Sequence, residues 1–131
     1  MDAPRARSYD LHTPDRSDRP IDVPVDLAHL RRYTLGDKAL EAEILGLFLA
    51  QLPETIASLR SAETERDWKI AAHALKGSSR AVGAWRIAAL AQEAETLPAN
   101  MKTGAWSKAI AKLEAAAAEA STFVKETACK A

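Results

Sequence analysis

The sequence predicts an all-α protein: an antiparallel four-helix bundle with a short additional N-terminal helix. Three observations carry that prediction. Alanine supplies 28 of 131 residues against 5 glycines, and Val and Ile are sparse, which is helix-forming composition with little strand character. From Asp26 onward, apolar residues recur at three- and four-residue spacing, the period of a helix with one buried face. The stretches between these periodic runs are short, so successive helices pack as antiparallel neighbours.

Each element follows in order. Residues 1–25 read as a flexible leader, with four of the six prolines (Pro4, Pro14, Pro20, Pro24) among isolated charges of both signs. That density of proline prevents continuous helix, and few large apolar side chains are present to offset ordering entropy. The bundle is then expected over residues 26–131. Asp26 caps a first short helix with Leu27, Leu30 and Thr34 on one face, and Gly36 followed by Asp37 reads as a stop and a fresh cap. The second helix carries Leu40, Ile44, Leu47, Phe48, Leu52, Ile56 and Leu59. Its register continues across Pro53, so one kinked helix is expected rather than two. Asp67 is the expected cap of a third helix that ends at Gly83. A fourth buries Ile87, Leu90, Ala94 and Leu97 and stops at Pro98. The fifth starts near Gly104 with Trp106, Ile110, Leu113, Ala117 and Val124 in line.

Charge and cysteine content exclude several function classes. Eighteen basic residues balance eighteen acidic ones, whereas a chain held to DNA or anionic lipid by charge would be markedly basic. One cysteine, Cys129, forms no internal disulfide, and no Cys/His cluster has the spacing of a zinc site. No apolar run near the amino terminus resembles a signal peptide, and none approaches the ~18 residues of a membrane span. A cytoplasmic protein is expected. The apolar stripes suffice for one bundle, so a monomer is expected as well.

The third helix holds the informative residues, Asp67-Trp-Lys-Ile-Ala-Ala-His73-Ala-Leu-Lys76-Gly77-Ser-Ser-Arg80-Ala-Val82. At about 100° per residue, Trp68, Ala71, Ala72, Leu75, Ser79 and Val82 cluster on one side, and His73 points about 160° from it. Gly77 shares the histidine's side one turn on. A mid-helix glycine costs ~1 kcal/mol against alanine, and this chain uses alanine freely, so the position suits something that must approach the backbone. Lys69 and Lys76 lie within one turn of His73, and Arg80 within two. A phosphoryl group on the ring would add about −2 charge, with which these cations would pair. Ile70, an apolar residue on the outward side, suits a docking patch. No Asp or Glu stands at i±3 or i±4 of His73, so neither a base-assisted nucleophile nor a helical metal site is legible here.

Ala-His73-Ala-Leu-Lys76-Gly77-Ser-Ser, then Val82-Gly83-Ala84 and an amphipathic helix, resembles histidine-containing phosphotransfer (HPt) domains. The resemblance covers roughly residues 26–125, including the Leu52-Pro53 step and the Asp67-Trp68 entry. It implies a four-helix bundle whose exposed histidine accepts phosphoryl from a receiver-domain aspartate and passes it to another receiver. By that resemblance His73 is the phosphoryl carrier, Lys76 the stabilising cation and Gly77 the clearance for the receiver. Lys69 and Arg80 extend the cation set, and Ile70 the docking patch, by position. The partners implied are response-regulator receivers, those of hybrid histidine kinases included, and the receiver brings Mg²⁺. The chain shows no Gly-rich ATP-binding region and no attached receiver, so a free-standing phosphoryl carrier without ATP-dependent kinase activity is expected. The competing reading is a non-phosphorylated helical adaptor that docks receivers or kinases through the same face. His29 reads as a surface or packing residue.

Overall fold

The computed structural model describes residues 22–98 and 104–127. His12, Cys129 and most of the expected leader lie outside them. The packed unit begins before the expected boundary at Asp26, because Val25 is fully buried in the core. Five helices follow: α1 (Leu27–Thr34), α2 (Lys38–Arg60), α3 (Glu65–Val82), α4 (Trp85–Glu95) and α5 (Ala105–Thr127). Each of α3 and α5 packs against both α2 and α4, so the four long helices close into a ring, and α1 leans on α2 and α3.

Local chemistry sets the helix ends. Asp26 caps α1 by accepting from the backbone N–H of His29 at 3.2 Å. The chain turns left-handed at Leu35 (φ 55°) and again at Gly36 (φ 82°), so the reversal starts one residue before the glycine that signals it. Asp37 then caps α2 through Leu40 N–H at 3.0 Å. The cap of α3 is Thr64, whose hydroxyl accepts from Asp67 N–H at 3.0 Å, rather than Asp67 itself. Asp67 instead places its charge in the first turn, where the helix dipole favours it. Helix α4 ends at Glu95, with Thr96 as its C-cap, ahead of Pro98.

The buried faces agree with the sequence best where one stripe dominates. In α3 the buried set is Trp68, Ala71, Ala72, Leu75, Ser79 and Val82. In α2 the register holds from Phe48 through Leu52, Ile56 and Leu59, and the helix runs unbroken through Pro53. Its first half differs: Leu45 and Glu41 are buried, Ile44 is half-buried, and Leu40 and Leu47 are exposed. The α2 sequence holds more apolar residues than one face accommodates, so some of them remain exposed. Burial of the Glu41 carboxylate is made tolerable by Arg31 of α1, which reaches both oxygens (Nε–Oε1 2.7 Å, Nη2–Oε2 3.2 Å) in a bidentate pair. Leu90, Leu97, Ile110 and Ala117, expected in the core, are half-buried at its margin, and Ala88, Ala91, Ala116 and Ala120 are buried instead. By length and composition α2 is apolar enough to cross a bilayer, contrary to the expectation that no stretch comes near this. Here it is a bundle helix between α3 and α5.

Two features fix how α3 and α4 meet. Trp68 is fully buried, stacks on Trp106 of α5 (centroids 4.2 Å, planes 7° apart) and donates its indole N–H to the Ala94 carbonyl at 2.6 Å. At the other end, Gly83 closes α3 with φ 84° and accepts from Asp26 N–H at 2.8 Å. The second Asp26 oxygen accepts from the Trp85 indole at 3.0 Å, and His29 packs edge-on to the rings of Trp85 and Tyr33. A Cβ on Gly83 would sit 2.8 Å from the Asp26 carbonyl oxygen while forcing a side chain into the left-handed region. Gly83→Ala is therefore expected to lower unfolding stability by about 2 kcal/mol or more, read from urea denaturation.

Candidate functional site

Helix α3 presents one face to α2 and α4 and the opposite face outward, and His73 stands on the outward side with its side chain 69 % exposed. Gly77 lies one turn along, also exposed, with no atom within 4 Å of where a Cβ would be. Packing therefore does not account for this glycine. Ile70 is exposed as well and lines a shallow depression with Glu65, Arg66, Lys69 and His73. Arg80 is exposed further along the helix.

The cations do not form the open cluster that spacing suggests. Lys69 pairs with Glu65 at 3.3 Å, one turn back. Lys76 turns inward, with its side chain only 12 % exposed, and its ammonium lies 2.6 Å from Glu95 Oε1 and donates to Gln92 Oε1 at 3.1 Å. Both partners belong to α4.

Glu95 is the functional residue that the sequence reading missed. Its Oε2 lies 3.1 Å from His73 Nδ1, so a carboxylate does reach the ring, from the neighbouring helix. The usable signal was the tight α3–α4 hairpin. His73 stands ten residues before Gly83 and Glu95 eleven after Ala84, and antiparallel helices bring such positions side by side. The hydrogen bond from Lys76 holds the Glu95 carboxyl below its ordinary range; partial burial opposes this, and His73 adds to it. The stabilisation from this pair is accordingly present above the ordinary carboxylate range and is lost as pH falls through the lowered value.

The ionised carboxylate dictates which ring nitrogen is free. A carboxylate only accepts, so Nδ1 must carry the proton and donate it. The remaining lone pair then belongs to Nε2, for which no hydrogen bond is formed among the described residues. The site offers an exposed imidazole of fixed tautomer, held on a rigid helix beside a bare backbone. Such a group can act as a nucleophile toward an electrophile brought by a partner.

The position of Gly77 gives a direct test. Gly77→Gln is expected to keep the fold, or stabilise it by up to ~1 kcal/mol, while obstructing a partner's approach to this face and slowing its reaction with the His73 ring at least tenfold. Melting and reaction rate measured on the same preparation check both halves.

A family model for the Hpt domain matches residues 43–123, more than half of the chain. The matched stretch runs from within α2 to within α5 and contains every residue of the site. The protein belongs to the Hpt domain family, whose members serve phosphotransfer in phosphorelays and interact with receiver domains of response regulators or hybrid kinases. Comparison with curated proteins and with solved structures gives no match.

Proposed function

We propose that this protein carries a phosphoryl group on Nε2 of His73, taken from the aspartyl phosphate of one receiver domain and given to the aspartate of another. The observation that supports this reading is the exposed His73 ring with Nδ1 engaged by Glu95, which leaves Nε2 as its nucleophilic atom. In the forward step the Nε2 lone pair forms the N–P bond as the P–O bond to the aspartyl carboxylate breaks, the electron pair leaving with that carboxylate. The return step reverses this with a second aspartate. The receiver supplies Mg²⁺ and the groups that neutralise the phosphoryl oxygens. Gly77 lets the receiver's active site approach the helix, and Ile70 offers it an apolar contact. Lys76, and more distantly Lys69 and Arg80, place positive charge around the ring. This role places the protein in the cytoplasm with its receivers.

The test uses purified protein, Mg²⁺ and a panel of receiver domains charged by a small phosphodonor. Acid-labile, base-stable phosphate should appear on the wild type and not on His73→Gln. A folded wild type that takes no label from any cognate receiver would favour the docking-adaptor reading instead.

A further inference from the structure

We infer that the α2–α5 face is an interface with a second copy of this chain. In the ring of long helices this pair lies opposite the α3–α4 pair that carries His73 and Glu95. The interface stands whatever His73 carries, and it replaces the monomer expected from the apolar stripes.

Helix α2 carries no charge from residue 44 to residue 53, and only 28 % of its most apolar stretch is buried, so much of that stretch faces outward. On the α5 side, Leu49, Pro53 and Ile56 line an apolar groove with Ala117, Ala118 and Ser121. By helical spacing the face continues through exposed Ala42, Gly46 and Ala57 on α2, and through exposed Ala111 and Thr122 on α5. Gly46 has no atom within 4 Å of where a Cβ would be. Contact within the described residues therefore does not account for a glycine that weakens the helix. Arg60 and Glu114 are the charged residues that line the groove, and they pair with each other. A continuous uncharged surface of this extent marks an interaction site.

Two polar groups in the groove indicate what covers it. Pro53 brings no N–H, so the Leu49 carbonyl one turn back lacks its helical donor. The Ser121 hydroxyl forms no hydrogen bond among the described residues. A bilayer interior offers these groups neither donor nor acceptor. A two-fold copy offers both: in an isologous interface each group meets the partner of its own counterpart, so Ser121 of each copy donates to the Leu49 carbonyl of the other. Because the middle of the face is uncharged, two copies oppose no like charges there. Helix α2 has 23 residues and is therefore ~34 Å long; with α5 about 9 Å away, a face ~15 Å wide covers ~500 Å². Two such faces bury ~1,000 Å², the lower end for a specific association, so the dimer is weak and exchanges with monomer. His73 points outward on the far side of each copy, so both rings stay open to partners.

Sedimentation equilibrium of the full chain between about 5 and 500 μM should show monomer and dimer in exchange, with a Kd of about 10–100 μM. Ala118→Arg puts a long charged side chain into the apolar face and should raise that Kd at least tenfold while cooperative melting is kept. Ser121→Ala removes the donor from both copies and should raise it about three- to tenfold. Leu47→Asp, at an exposed position outside the groove, should leave it unchanged. A wild type that stays monomeric throughout would overturn the inference, as would a dimer that Ala118→Arg, correctly folded, leaves intact. Binding of the wild type to phosphatidylcholine vesicles that Ala118→Arg abolishes would also overturn it, by assigning the face to lipid.

Discussion

His73→Gln is expected to take up no phosphoryl group from any receiver and to unfold within about 0.5 kcal/mol of the wild type. The two halves of this expectation come from the same fact. The ring is largely exposed and its one described hydrogen bond is to Glu95, so little burial is lost, and surface substitutions of this kind usually fall within that margin. Glutamine is polar and can still donate toward Glu95, which leaves the Lys76–Glu95 pair in place. Yet an amide has no nucleophilic nitrogen, so no group replaces Nε2. Label retained at another residue of the variant would move the phosphoacceptor; loss of cooperative unfolding would contradict the outward orientation of the ring.

Trp68→Ala has the largest expected effect on stability, a loss of about 3–5 kcal/mol. Total stability of a domain this size is only of order 5–15 kcal/mol, so the loss is a large share. Three contributions converge on this side chain. It is fully buried, it stacks face to face with Trp106 of α5, and it donates to the carbonyl of Ala94. That last contact lies one residue from Glu95. Truncation should therefore also loosen α4 against α3 and slow phosphoryl exchange in whatever fraction remains folded. Trp68→Phe keeps a ring but loses the hydrogen bond, leaving the Ala94 carbonyl without its buried donor. A cost of about 1–2 kcal/mol for that variant would separate the polar share from the stacking. Denaturant titration of both variants measures the two contributions; an alanine variant within 1 kcal/mol of wild type would mean the core closes over the gap.

The sequence disclosed the helices, their order and the outward face of α3 because each depends on spacing along one helix. The agreement is closest in α3, where polar and apolar residues segregate cleanly and every expected core residue is buried. It fails at the start of α2, where Leu40, Ile44, Leu45 and Leu47 offer two registers and spacing along one helix does not choose between them. Burial of Glu41 was equally hidden, since its partner Arg31 stands on another helix. The site divides the same way. His73, Gly77 and Ile70 were legible because exposure follows from helical angle. The positions of Lys76 and Glu95 were not, because they depend on how α4 lies against α3. Spacing placed Lys76 beside the histidine, but the carboxylate across the groove determines where its ammonium rests.

The connection between α3 and α4 has a further consequence, for how this protein can change over evolutionary time. Loops between helices ordinarily absorb insertions. This one consists of Gly83 and Ala84, both buried; Gly83 is held by Asp26, and Ala84 donates to the Ser79 carbonyl at 2.8 Å, so there is no slack to take up an added residue. One residue more would advance α4 by about 1.5 Å and turn it by about 100°, swinging Glu95 off the imidazole and setting a different side chain against it. The length of this two-residue turn is thus a specification of the chemistry some ten residues away, and related chains that keep a glutamate opposite the histidine should vary in loop length elsewhere before they vary here.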